Sequence, residues 1–195
     1  MIISHFDSSC IHTLRDEFQS TFESEWIREV ERVEARRGNG LNKLRTYAKF
    51  KSVFGLEPYL MHVRHEGKRL LLFKFRAGIA PLGLETGRYE SNVDALTGQA
   101  IKERITRRMP YICPCCYGSI ENEIHFLLKC PRYTRSRGKL LYAYCIYCNI
   151  KDKPYPEDDR VLFNFLMSCQ DFQVVNALAN YLWDSFNDRT VFLGL

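Results

Sequence analysis

The chain has 195 residues, of which 46% are hydrophobic and 13% aromatic, enough apolar material for a folded core and far from the composition of a disordered chain. No stretch of 18 consecutive apolar residues occurs, which argues against a membrane-spanning helix. The net charge of +5 hides a strong asymmetry: residues 41–139 carry 19 basic and 8 acidic side chains, while the two flanks are acidic. Such a block sets up a local positive potential suited to a polyanion.

In chain order, the first element is a long amphipathic helix. Leu14, Phe18, Phe22, Trp26, Val30 and Val33 recur at helical spacing with charges opposite, and Gly38 and Gly40 end it. This makes 1–40 an acidic N-terminal helix. The region 41–110 is expected to be basic and helical. It opens with LNKLRTYAKFKSVF, is broken at Gly55 and Pro58, and continues through GKRLLLFKFRAG. That last run fits a buried helix or a strand, and the Gly78 stop favours helix. Gly and Pro density marks residues 79–92 as loop, and VDALTGQAIKERITRRM reads as a weak helix with Lys102, Arg104, Arg107 and Arg108 on one face. Residues 111–139 hold a cysteine cluster. Residues 140–195 are expected to form C-terminal helices packing on the same core, with KDKPYPEDD as a linker and Asp171 as a possible cap.

The cluster reads CPCCYGSIENEIHFLLKCPRY. Cys113, Cys116, His125 and Cys130 give C-x2-C-x8-H-x4-C. Two thiolates on a tight turn, with a His and a Cys from a following helix, form the donor set and geometry that zinc accepts, with no position left open for catalysis. One structural zinc ion is therefore the expected cofactor. Cys115 is a spare thiol that could replace either neighbour. Cys145 and Cys148 form a second C-x2-C and offer a rival four-cysteine site across a 28-residue loop, although a helical stripe through Tyr144, Cys145 and Cys148 is more simply core. A thioredoxin-like pair would need a strand before Cys113, and none is expected there. Eight cysteines with no secretory signal in MIISHFDSSCIHTLRDEF point to a reducing, intracellular setting, nuclear or cytoplasmic. Cys10 and Cys169 read as small core residues.

A longer pattern runs through the same region. KLRTYAKFKSVFGLEPYL, LLLFKFRAGIAPLGLETGRY, CPCCYGSIENEIHFLLKCPRYTRSRGKLL and RVLFNFLMS together resemble the C-terminal region of LINE-type (non-LTR) retrotransposon reverse transcriptases. The resemblance spans about Trp26 to Arg189, and its sharpest parts are FRAG…ETGRY and the C-x2-C…E-x-H-F-L-x-x-C-P-x-Y signature. It implies that Cys113, Cys116, His125 and Cys130 are zinc positions. It also implies a helical tail that works downstream of a polymerase on RNA or DNA. The link between the GRY segment and the first cysteine is longer than the pattern leads one to expect.

No catalytic constellation accompanies the pattern. YPEDD at Tyr155–Asp159 has one residue too many for a polymerase Y-x-D-D and reads as a charged helix start. A phosphate loop, G-x-S-x-G and H-E-x-x-H are absent from the sequence. Glu121 and Glu123 precede His125 in the wrong order for a zinc deaminase. A hydrolase or nuclease would need a second or an open metal site.

The expected fold is mainly α, about five to seven helices by periodicity, with a small Cys3His zinc-stabilised subdomain. The expected function is non-catalytic nucleic-acid binding. Lys102, Arg104, Arg107, Arg108, Arg132, Arg135 and Arg137 are the candidate phosphate contacts, and Tyr111, Tyr117 and Tyr133 are candidates for stacking on unpaired bases. A separate polymerase or other protein is a possible partner, and no membrane is expected. The alternative is a structural or protein-interaction zinc scaffold, with the Leu14–Val33 stripe as its surface.

Overall fold

The computed structural model describes residues 8–35, 47, 49–51, 55–86 and 112–194. The chain divides into two compact units at Leu56/Glu57, inside the region expected to be one basic stretch. Residues 57–86 thus share a unit with the cysteine segment and the C-terminal helices.

In the first unit, α1 runs Ser8–Ala35 as one helix of 28 residues. Along its expected apolar stripe Leu14, Phe18 and Phe22 are exposed, and the side chains of Val30 and Val33 lie outside the described residues. Trp26 is half-buried and meets the Tyr47 ring edge-on, centroids 6.0 Å apart. The helix expected over LNKLRTYAKFKSVF falls mostly outside the described residues.

In the second unit, α2 (Pro58–His62) and α3 (Glu66–Ala77) lead into a short α4 (Gly83–Thr86). The ambiguous GKRLLLFKFRAG run is therefore helical. It buries Leu71, Leu72 and Phe75 on one face and ends on Gly78, whose left-handed φ of 66° lets its N–H return to Lys74 and Phe75 carbonyls. After the cysteine segment come α5 (Thr134–Lys151), α6 (Asp159–Ser168) and α7 (Phe172–Leu193). Asp158 and Asp171 cap the last two, each accepting from two backbone N–H groups of the first turn. YPEDD is thus a helix start.

The second unit is organised around α7, which packs against α2, α3, α5 and α6. Val174, Val175, Leu178, Ala179, Tyr181 and Leu182 are all buried, so the apolar surface wraps well beyond a single stripe. Gly67 on α3 lies so close to α7 that an added Cβ would sit 2.6 Å from the Trp183 ring. The described residues are mostly helical and hold no strand ladder, only one isolated antiparallel bridge, Ile112 to Ile120. None of the described helices is long and apolar enough to cross a membrane.

Candidate metal centre

The site begins with a knuckle. The Ile112–Ile120 bridge closes a tight loop in which the Cys113 N–H donates to Ser119 O and the Tyr117 N–H returns to Cys113 O. Tyr117 takes a left-handed φ of 55°, costly for a residue with a Cβ, and its ring is exposed at the tip. This loop aims Cys113 and Cys116 at the helical segment that follows.

That segment is where the local geometry matters most. Asn122 caps its start, accepting the His125 N–H at 2.8 Å. From His125 to Lys129 the helix widens into a single π turn, with the Cys130 N–H donating to His125 O. On a regular α-helix, residues five apart point about 140° away from each other. The wider turn brings His125 and Cys130 to one side, and such turns are often found at functional sites. Cys130 then leaves in an extended conformation, as the residue before Pro131 prefers.

The four ligand atoms of Cys113, Cys116, His125 and Cys130 all lie within 4.8 Å of one another. Cys113 Sγ and Cys130 Sγ are 3.8 Å apart, and Cys116 Sγ is 3.3 Å from His125 Nε2. This cluster can hold one metal ion. Burial pushes the Cys113 and Cys130 thiols up from their ordinary value, and it holds the His125 imidazole below its own. A thiol cluster in that state favours protons over bare negative charge, and a bound cation would reverse the preference.

The rival ligands stand elsewhere. Cys115 Sγ lies 3.3 Å from Tyr133 Oη, outside the group of four. On α5, Cys145 is exposed while Cys148 is buried, and neither belongs to the cluster.

The site is bonded into the core. Phe126, the residue after His125, is fully buried among Phe75, Tyr133, Tyr181 and Phe186. The carbonyls freed at the widened turn find partners on α5 and α7. Arg137 donates to Leu127 O at 2.8 Å and Cys130 O at 2.6 Å, and Tyr181 Oη donates to Phe126 O at 2.7 Å. Just before the helix, the fully buried Glu121 accepts both Arg189 Nε and a terminal Arg189 nitrogen at 2.8 Å. It also takes the Gly83 N–H at 2.6 Å, tying α4, the knuckle and α7 together. None of these clamps was visible as a motif. Glu121 lies in the polar run SIENE and Arg189 in NDRT, 68 positions away, so nothing in the sequence marks them as a buried pair.

The candidate phosphate contacts separate. Lys102, Arg104, Arg107 and Arg108 lie outside the described residues, as does Tyr111. Arg135 is exposed. Arg132 is at the surface but engaged in a two-point ion pair with Asp188, and its guanidinium covers the Phe192 ring at 4.1 Å. Arg137 is buried with its donors on two carbonyls, which removes it as a phosphate contact. Tyr133 is buried and cannot stack on a base, whereas Tyr117 is free to.

No protein-family model, curated protein or solved structure matches the chain.

Proposed function

We propose that the chain is a non-catalytic, zinc-containing nucleic-acid-binding module of the kind found at the C-terminal end of LINE-type retrotransposon reverse transcriptases. The observation that carries this reading is the convergence of Cys113, Cys116, His125 and Cys130. A zinc tetrahedron built from ordinary Zn–S and Zn–N bonds has S···S edges of about 3.8 Å and S···N edges of about 3.6 Å. Two of the six separations, 3.8 Å from Cys113 Sγ to Cys130 Sγ and 3.3 Å from Cys116 Sγ to His125 Nε2, are near that size, and all six are within 4.8 Å. Three thiolates and one imidazole leave no open position, so the ion would hold the knuckle to the widened helix and take no part in a reaction. The nucleic-acid part of the reading rests on the excess of basic residues over 41–139 and on the resemblance of the surrounding segments.

The test is binding of zinc-loaded protein to labelled RNA and DNA across a salt series. This reading expects affinity that falls steeply with salt, in proportion to the phosphates neutralised. Absence of binding to either polymer at low salt would refute it.

A second reading is favoured by α1, where Ile11, Leu14, Phe18, Phe22 and Ile27 are exposed. A protein-interaction scaffold would use that face. It expects self-association or partner capture with shallow salt dependence.

A further inference from the structure

We propose that the outward face of α5 is a docking strip for single-stranded nucleic acid: Arg135 and Lys139 hold phosphates, Gly138 leaves room for the strand, and Tyr142 stacks on an unpaired base. The inference rests on the nucleic-acid reading above and specifies where and in what form the polymer binds.

Four observations converge on this face. First, Arg135, Lys139 and Tyr142 follow one another at i, i+4 and i+7, so they share one side of the helix over about 10 Å. All three are exposed, Tyr142 at 70%. Second, α5 contains no Asp or Glu in its 18 residues, and neither cation has an ion-pair partner among the described residues. Arg135 also stands in the first turn, where the helix dipole disfavours positive charge. Among the described residues no carboxylate rewards a cation there; an incoming anion would.

Third, Gly138 is exposed in mid-helix with nothing within 4 Å of the Cβ it lacks. Glycine weakens a helix interior, and here no packed neighbour requires it. Gly67 makes the contrast, since Trp183 fills the space beside it. A bare patch between two unpaired cations allows close approach of a phosphate backbone. Fourth, the buried face of α5 is engaged by Arg137, Leu140, Tyr144 and Cys148, which fixes the orientation of the outward one.

The aromatic sets the polymer class. A base inside a duplex has no free face for Tyr142, whereas a single strand offers one at every nucleotide. An acidic peptide would satisfy the cations but leave the exposed ring unused.

The experiment compares full-length, zinc-loaded wild type with variants by fluorescence anisotropy. The probes are a labelled single strand of about 20 nucleotides and a duplex of equal length, each over a salt series. Arg135→Gln/Lys139→Gln is expected to weaken single-strand binding at least about tenfold and to lower the salt slope by about 1.4, the value for two phosphate contacts on a single strand. Tyr142→Ser is expected to cost about tenfold on the single strand and to leave duplex binding unchanged. Lys151→Gln, at the far end of the same helix and on its opposite side, serves as the charge control and should stay near wild type. All four positions are exposed, and unchanged thermal melting checks that the variants fold.

If wild type binds while the α5 variants bind equally well, the strip is wrong and the nucleic-acid reading stands. An equal loss in Lys151→Gln would also overturn the strip, leaving diffuse charge as the cause. If wild type binds neither probe, both inferences fall.

Discussion

Replacing Glu121 by Gln should destabilise the second unit more than any conservative surface change. The carboxylate is fully buried and accepts two hydrogen bonds from Arg189, itself only 8% exposed at the side chain, and a third from the Gly83 N–H. Gln keeps the shape but offers one acceptor and turns an amide N–H toward a guanidinium. That leaves a buried positive charge without its counter-charge. Breaking one side of such a pair costs about 3–5 kcal/mol. For a domain of this size the loss corresponds to a fall of about 6–20 °C in Tm. Urea unfolding monitored by circular dichroism measures the free energy, and an unchanged m-value shows that a shifted midpoint is a change in stability. Arg189→Met tests the other partner, and the double variant should be less unstable than the sum of the singles, with about 1–3 kcal/mol of coupling. Single variants within about 0.5 kcal/mol of wild type, the range of ordinary surface substitutions, would refute the claim that this pair ties α4, the knuckle and α7 together.

Three further outcomes are expected. Arg137→Lys, which cannot reach Leu127 O and Cys130 O at once, should weaken metal retention about 10- to 100-fold in a chelator competition, although all four candidate ligands are kept. The glycines of α3 and α5 should respond oppositely. Gly67→Ala meets Trp183 and should cost about 1–3 kcal/mol, whereas Gly138→Ala should gain up to about 1 kcal/mol, both read by thermal melting. Stability should also decline on the alkaline side. Burial pushes the Tyr181 phenol up to about 12 from its ordinary 10.0, so the unfolded chain loses that proton first and stability falls as pH rises through that interval. Tyr181→Phe should flatten the decline, at the expense of leaving Phe126 O unpaired.

Much of this arrangement could be read from residue patterns. The periodicity of FQVVNALANYLWDSF and the Asp171 cap placed the start of α7 within a residue, because amphipathic pattern and cap chemistry are local, whereas the helix runs on to Leu193, past the end expected near residue 187. The four residues that meet in the cluster were also legible, since C-x2-C…H…C is a constraint on spacing. The route by which it closes was not. A single regular helix through ENEIHFLLKC would have pointed His125 and Cys130 apart, and the π turn that reunites them depends on carbonyl partners supplied by Arg137 and Tyr181 from distant helices. RSRGK hides its geometry in the same way. Arg135, Arg137 and Lys139 look alike as a basic run, yet helical rotation sends Arg137 inward and the other two out. The stripe of α1 shows the limit of periodicity, which marks an apolar face without saying what covers it.

If Cys113, Cys116, His125 and Cys130 hold one zinc ion, as proposed, the purified protein should carry it. The direct measurement is zinc content per chain by elemental analysis of purified protein, with His125→Ala, Cys130→Ser and Cys115→Ser beside wild type and with melting before and after chelation. One zinc is expected in wild type and in Cys115→Ser, none in the other two, and a large loss of stability whenever the metal is absent. Full zinc in His125→Ala and Cys130→Ser, or none in wild type, would contradict it.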